Sequence, residues 1–147
     1  MHDRLPPEQD AVRRAIVERH IVREAPLEVQ AAGCVAIVAA FSRVLGPLVG
    51  GIAVHAIVTR ALRLAQQRNP ILASVADAGT LMHADTLLAS LQGTERGQAH
   101  EALVMVIDML FTVLHGLLGS IAGSILPDVE AELVAEDAQS ERDEERQ

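Results

Sequence analysis

The sequence predicts an all-α fold: a single-domain bundle of about five helices with a long apolar helix towards its C-terminus. Three observations carry this reading. Apolar residues recur at helical spacing, as in Val12, Ile16, Val17 and Ile21, the one-sided pattern of an amphipathic helix. Breaks fall between such runs, at Pro26, Gly46-Pro47, Asn69-Pro70, Gly93 and Pro127, where helices start and stop. Only one run, Ile71 to Val75, reads as a brief strand or extended segment, and a lone strand has no partner with which to build a sheet.

Met1 to Pro7 is a short flexible lead, and Pro6 or Pro7 can start the first helix, where a missing N–H costs nothing. Glu8 to Glu24 is an amphipathic helix with Arg13, Arg14 and Glu18 off its apolar face. Leu27 to Leu45 is a second, more apolar helix. A third starts at Pro47 or after Gly50-Gly51 and ends at Arg68, with a polar stripe of Arg60, Arg63 and Gln67. Asp77 to Thr80 is a loop ending in an N-cap, and Leu81 to Leu91 a short helix closed by Gly93. The last helix is expected from about Glu95, capped by Thr94, to Leu126, with Pro127 as its stop. The bundle domain is thus residues 8–127. Residues 128–147 form an acidic tail that keeps some helical character through Val129, Leu133 and Val134 and is expected to be disordered beyond Asp137.

Composition narrows the function classes. The chain has 147 residues, enough for one domain with a real core. Half of them are apolar, almost all aliphatic; Phe41 and Phe111 are the only aromatic residues. All twelve basic residues are arginines, the mark of a GC-rich genome, and they form no run with interleaved aromatics, so a nucleic-acid binder is not expected. The net charge of −8 is concentrated: residues 128–147 hold nine acids against two arginines, and the rest is nearly neutral. Cys34 sits in apolar company and reads as a buried structural thiol. The first 28 residues are charged and lack a signal-peptide core. The expected location is a bacterial-type cytoplasm, with the inner membrane as the alternative.

That alternative rests on two apolar stretches, Ala31 to Val58 and Ala102 to Leu126, each long enough to cross a bilayer. Arg43 falls near the middle of the first, where a charge costs about 2.5–3.5 kcal/mol to insert. Asp108 interrupts the second, and neither stretch has Trp or Tyr at its ends to anchor a span. A soluble bundle or soluble oligomer is therefore the expected state. Gly116, Gly119, Ser120 and Gly123 mark a candidate helix-packing interface, either with another helix of the chain or with a partner.

Candidate polar sites are few. Asp108 and His115 share a helix face about 10 Å apart. Arg43 is the expected partner of Asp108, since each is otherwise an expensive charge in apolar surroundings. His55, His100 and His115 are weaker site candidates. His100-Glu101 resembles the phospho-accepting pair of two-component histidine kinases in those two residues alone; the flanking residues do not match. No spacing signals a metal, cofactor or catalytic site, so none is expected.

Arg60-Ala-Leu-Arg-Leu-Ala65, closed by Asn69-Pro70 and preceded by Leu48-Val49-Gly50, is similar to a group of uncharacterised small bacterial helical proteins. The resemblance covers about residues 45–72 and implies no activity. The sequence as a whole points to a non-enzymatic interaction or adaptor protein, acting as a homo-oligomer or on another helical protein. The alternatives are a small membrane or membrane-associated protein and a phosphotransfer module.

Overall fold

A computed structural model describes residues 7–119 and 121–145. The fold is all-α. Its helices are α1 (Pro7–His20), α2 (Leu27–Val49), α3 (Gly51–Arg68), α4 (Ala84–Ser90), α5 (Arg96–Leu118) and α6 (Ile121–Glu145). Two 3-10 turns, Pro70–Ser74 and Ala78–Met82, join α3 to α4.

Helices α2 and α5 form the centre and run in the same direction. A hydrogen bond joins Gln30 to His100, seventy positions apart. The rings of Phe41 and Phe111, offset by the same number, meet edge to face with centroids 5.2 Å apart. A constant offset along both helices means a parallel pair in fixed register. The apolar faces that this register brings together include Ile37, Val38 and Leu45 on α2 and Leu103, Ile107 and Leu110 on α5, all fully buried. Burial of such side chains is the main favourable term in folding.

Helix α3 turns back from the end of α2 and packs chiefly against α5. Helices α1 and α6 lie side by side, running in the same direction. Gln9 of α1 stands beside Gly123 of α6, and Arg19 faces Asp137 at 3.7 Å. Against α5, α1 is antiparallel, since Arg13 pairs with Asp108 and Arg23 with Glu101. The α2–α3 and α5–α6 junctions consequently share one end of the bundle. Each is made by a glycine in the left-handed region, Gly50 at φ +86° and Gly119 at φ +57°; a side chain there would be strained.

Gly119 splits the single helix expected between Glu95 and Leu126, which is why the structure has six α-helices among the described residues rather than about five. Helix α6 then runs through Pro127. A proline inside a helix removes one backbone hydrogen bond and crowds the carbonyl four residues back. The helix continues because its buried face spans the proline: Ala122, Ile125, Leu126, Val129 and Leu133 are all covered. The same segment was expected to lose its structure beyond Asp137; its backbone is helical to Glu145. Likewise Pro47 lies inside the last turn of α2 rather than closing the helix before it.

The run expected as a strand falls in the 3-10 turn Pro70–Ser74, which Val75 closes in extended backbone. Asn69 starts it, its side-chain oxygen accepting from the Ile71 N–H. Asp77, not Thr80, caps the next turn by accepting from the Thr80 N–H. Glu95 rather than Thr94 caps α5, accepting from the Gly97 N–H.

Candidate functional site

The expected Arg43–Asp108 pair does not form. Asp108 pairs instead with Arg13 of α1, which also holds Asp10 at 2.6 Å. Asp10 bridges Arg13 to Arg14, whose guanidinium stands 2.5 Å from its other oxygen. Burial raises the Asp108 carboxyl above its ordinary value, and the Arg13 charge and hydrogen bond pull it back part of the way. Hydrogen bonds from Arg13 and Arg14 hold Asp10 below its ordinary value. Arg43 faces α6, its Nε 2.9 Å from Glu132 and its Nη2 3.1 Å from Glu136. Glu132 and Glu136 fall in the acidic tail that the sequence sets outside the bundle domain, so they do not stand out there as partners for Arg43. Arg13 is one of the residues expected off the apolar face of its helix.

His100 is a joint of the core. Its Nδ1 lies 2.8 Å from Oε1 of Gln30, a residue with no solvent exposure. The Gln30 Nε2 donates to the carbonyls of Arg23 and Ala25. With the amide nitrogen so engaged, Oε1 is the acceptor and His100 Nδ1 carries the proton. One carboxamide therefore fastens the α1–α2 loop to both α2 and α5. Gln66 does similar work on α3, donating to the carbonyls of Leu72 and Val75 and so holding the 3-10 turn. Burial, reinforced by the Arg23 charge, lowers the His100 pKa. His55 is exposed on α3. His115 is partly covered, with Nδ1 buried and no hydrogen-bond partner among the described residues. Cys34 is buried, and burial alone pushes its thiol up to about 12, far from the thiolate a nucleophile needs. Among the described residues no group of three His, Cys, Asp or Glu side chains is placed to hold a metal ion.

The glycines divide. Gly33 makes the closest helix approach: a Cβ there would stand 1.8 Å from the His20 carbonyl oxygen, where α1 ends on α2. Of the glycines expected to mark helix packing, Gly116 and Gly119 would meet nothing within 4 Å, and Gly123 meets only the Gln9 side chain. Among the described residues no helix packs closely on Gly116. Ser120 lies outside the described residues.

Large apolar side chains are exposed at the end that carries both glycine junctions. Leu48 and Ile52 flank the α2–α3 junction at 66% and 92% exposure, with Val49 between them; Leu117 and Ile121 flank the α5–α6 junction at 60% each. From Leu117 an open groove runs down between α3 and α5. Its floor is Leu64, Met109, Val113 and Gly116, with Arg60 and Arg68 along one side. Arg60, Leu64 and Arg68 recur every four residues, which puts them on one face of α3. Arg60, Arg63 and Arg68 make no ion pair with any described residue.

Ile52 and Ile121 were not singled out in the sequence, because each sits inside a long apolar stretch where one exposed residue leaves no signal. Gln30 left a signal: it occupies the buried face defined by Cys34, Ile37, Val38 and Phe41, the one polar residue in that series. The protein-family models, the curated proteins and the solved structures compared with this chain contain no match to it.

Proposed function

We propose that the protein is a non-enzymatic helical interaction protein, soluble in the cytoplasm, that associates with copies of itself or with another helical protein. The observation that carries this reading is the apolar end formed by Leu48, Val49, Ile52, Leu117 and Ile121. Covering one such side chain contributes about 1.5–3 kcal/mol, and a patch of this kind is where a partner gains most. Two polar groupings of the bundle are committed to structure: Gln30 and His100 to each other, and Arg13 to Asp10 and Asp108.

The test is paired substitution at exposed positions. Ile52→Asp with Leu117→Asp should leave helicity and thermal stability near wild type, abolish self-association and lower the binding of a hydrophobic dye. Unchanged association in this variant would overturn the assignment of the apolar end.

The second reading, a membrane protein, is favoured by the length and apolarity of α2 and α5, with mean hydropathies of 1.9 and 1.8 over their most apolar windows. The parallel register of α2 and α5 weighs against it. A chain that crosses by α2 must return before α5 can cross in the same sense, and the helix that returns, α3, carries Arg60, Arg63 and Arg68. Three guanidinium groups in one span are costly. Recovery of the protein only in the detergent-extracted fraction would favour the membrane reading.

A further inference from the structure

From the groove and the charges that border it, we infer that the α3–α5 groove receives the outer face of α6 from a second copy of this chain. This rests on the proposal that the protein self-associates and names the surfaces that meet.

The two surfaces match in shape and in charge. On the groove side, Gly116 leaves the α5 backbone open, with nothing within 4 Å of an added Cβ, so another helix can approach closely. Leu64, Val113 and Leu117 give an apolar floor, and Arg60 and Arg68 edge it. Helix α3 contains three arginines and no acid. On the other side, the inner face of α6 is already used: Val129 and Leu133 are buried, and Glu132 and Glu136 are held by Arg43. Its outer face carries Ala131, Val134 and Ala135, all exposed. Their spacing makes a narrow apolar stripe of small residues. Asp128, Glu130 and Glu141 stand exposed beside that stripe and pair with no described residue.

An acidic helix with a small-residue stripe therefore faces outward on the same molecule that presents an arginine-edged groove with a glycine in its floor. The chain cannot join the two surfaces within itself, because α6 would have to leave its own seat on α2. Two copies related by a two-fold axis can exchange α6 faces reciprocally, which fills both grooves and closes the assembly as a dimer. Charge complementarity of this sort sets the register and speeds the encounter.

The experiment measures mass by light scattering in detergent-free buffer, using the full chain. Arg60→Glu with Arg68→Glu should weaken association by at least about tenfold, as should Glu130→Arg with Glu141→Arg. An equimolar mixture of the two variants should recover it. Charge-swapped variants that each keep the wild-type mass, or a mixture that stays monomeric, overturn the inference.

Disulfide trapping gives an independent reading at two exposed positions: chains bearing Leu117→Cys, mixed with chains bearing Val134→Cys, should cross-link, and the buried Cys34 does not compete. If no such cross-link forms, the inference fails even where the charge variants fold poorly. Should association survive the arginine changes but vanish in Ile52→Asp, the apolar end is the interface and only the groove assignment falls. A monomeric wild type removes both. Arginine-dependent capture of monomeric wild type by vesicles of anionic phospholipid would also overturn this occupant, in favour of a membrane surface.

Discussion

His100 donates from Nδ1 to Oε1 of Gln30 across 2.8 Å, tying α5 to α2 at the end opposite the glycine junctions. The same carboxamide holds the carbonyls of Arg23 and Ala25. Replacing Gln30 with Leu keeps the volume and removes all three contacts. The variant should lose about 1–3 kcal/mol, because partly buried acceptors are left without a donor. Urea unfolding checks this, and a neutral result would remove the joint from the account.

Acid should weaken the fold through histidines. Burial lowers the folded-state pKa of His100, with Arg23 adding to it, and burial also lowers that of His20. A histidine kept neutral in the folded state contributes stability above its unfolded value of about 6.5. That stability is lost as pH falls through the lowered folded value, since the unfolded chain takes the proton first. Stability should therefore fall as pH drops below about 6.5, the unfolded histidine value. His100→Asn, which can still offer a donor near the Nδ1 position, should show a smaller drop.

The two arginine clusters should respond differently. Arg43 and its glutamates are each nearly half exposed, so Arg43→Ala should cost no more than about 1 kcal/mol. Arg13→Ala leaves the partly buried Asp108 without its partner and should cost about 1–3 kcal/mol near neutral pH. Burial raises the Asp108 pKa while Arg13 lowers it. Without Arg13 the carboxyl takes up a proton more readily in the folded state. The penalty should then shrink on acidification, and thermal melts of both variants across that range would show it.

Two glycine changes should have opposite signs. Gly33→Ala drives a methyl into the His20 carbonyl, an overpacking that costs about 1–3 kcal/mol or more. Gly116→Ala meets nothing in the chain and should stabilise the isolated fold by up to about 1 kcal/mol through helix propensity. The same change should weaken association if the groove is occupied by a helix. Unfolding midpoints measured below and above the association range separate the two effects.

The all-α class and the three N-terminal helices were legible from periodicity, because that signal depends only on which side of a helix is buried. Helix ends were less legible. Pro47 read as a break or a helix start and Pro127 as a stop, yet α2 runs on to Val49, and Val129 and Leu133 keep the segment after Pro127 helical by packing. Gly119 read as a packing residue inside a helix and is instead the hinge between two. Pairings across the fold were least legible. Arg43 and Asp108 looked like natural partners, but that needed the register of α1 and α6, which decides that Arg13 reaches Asp108 and that Glu132 reaches Arg43. The apolar end appears only once the register of α2 and α5 brings Ile52 and Leu117 to the same end of the bundle.

The proposed function requires a soluble protein that associates through an exposed apolar surface. Light scattering on the wild-type chain, purified without detergent and measured over a concentration series, tests it most directly. The expected result is a soluble species whose mass rises with concentration to at least twice the 15.7 kDa of one chain. A constant mass of one chain throughout, or protein that stays in solution only with detergent, would contradict it.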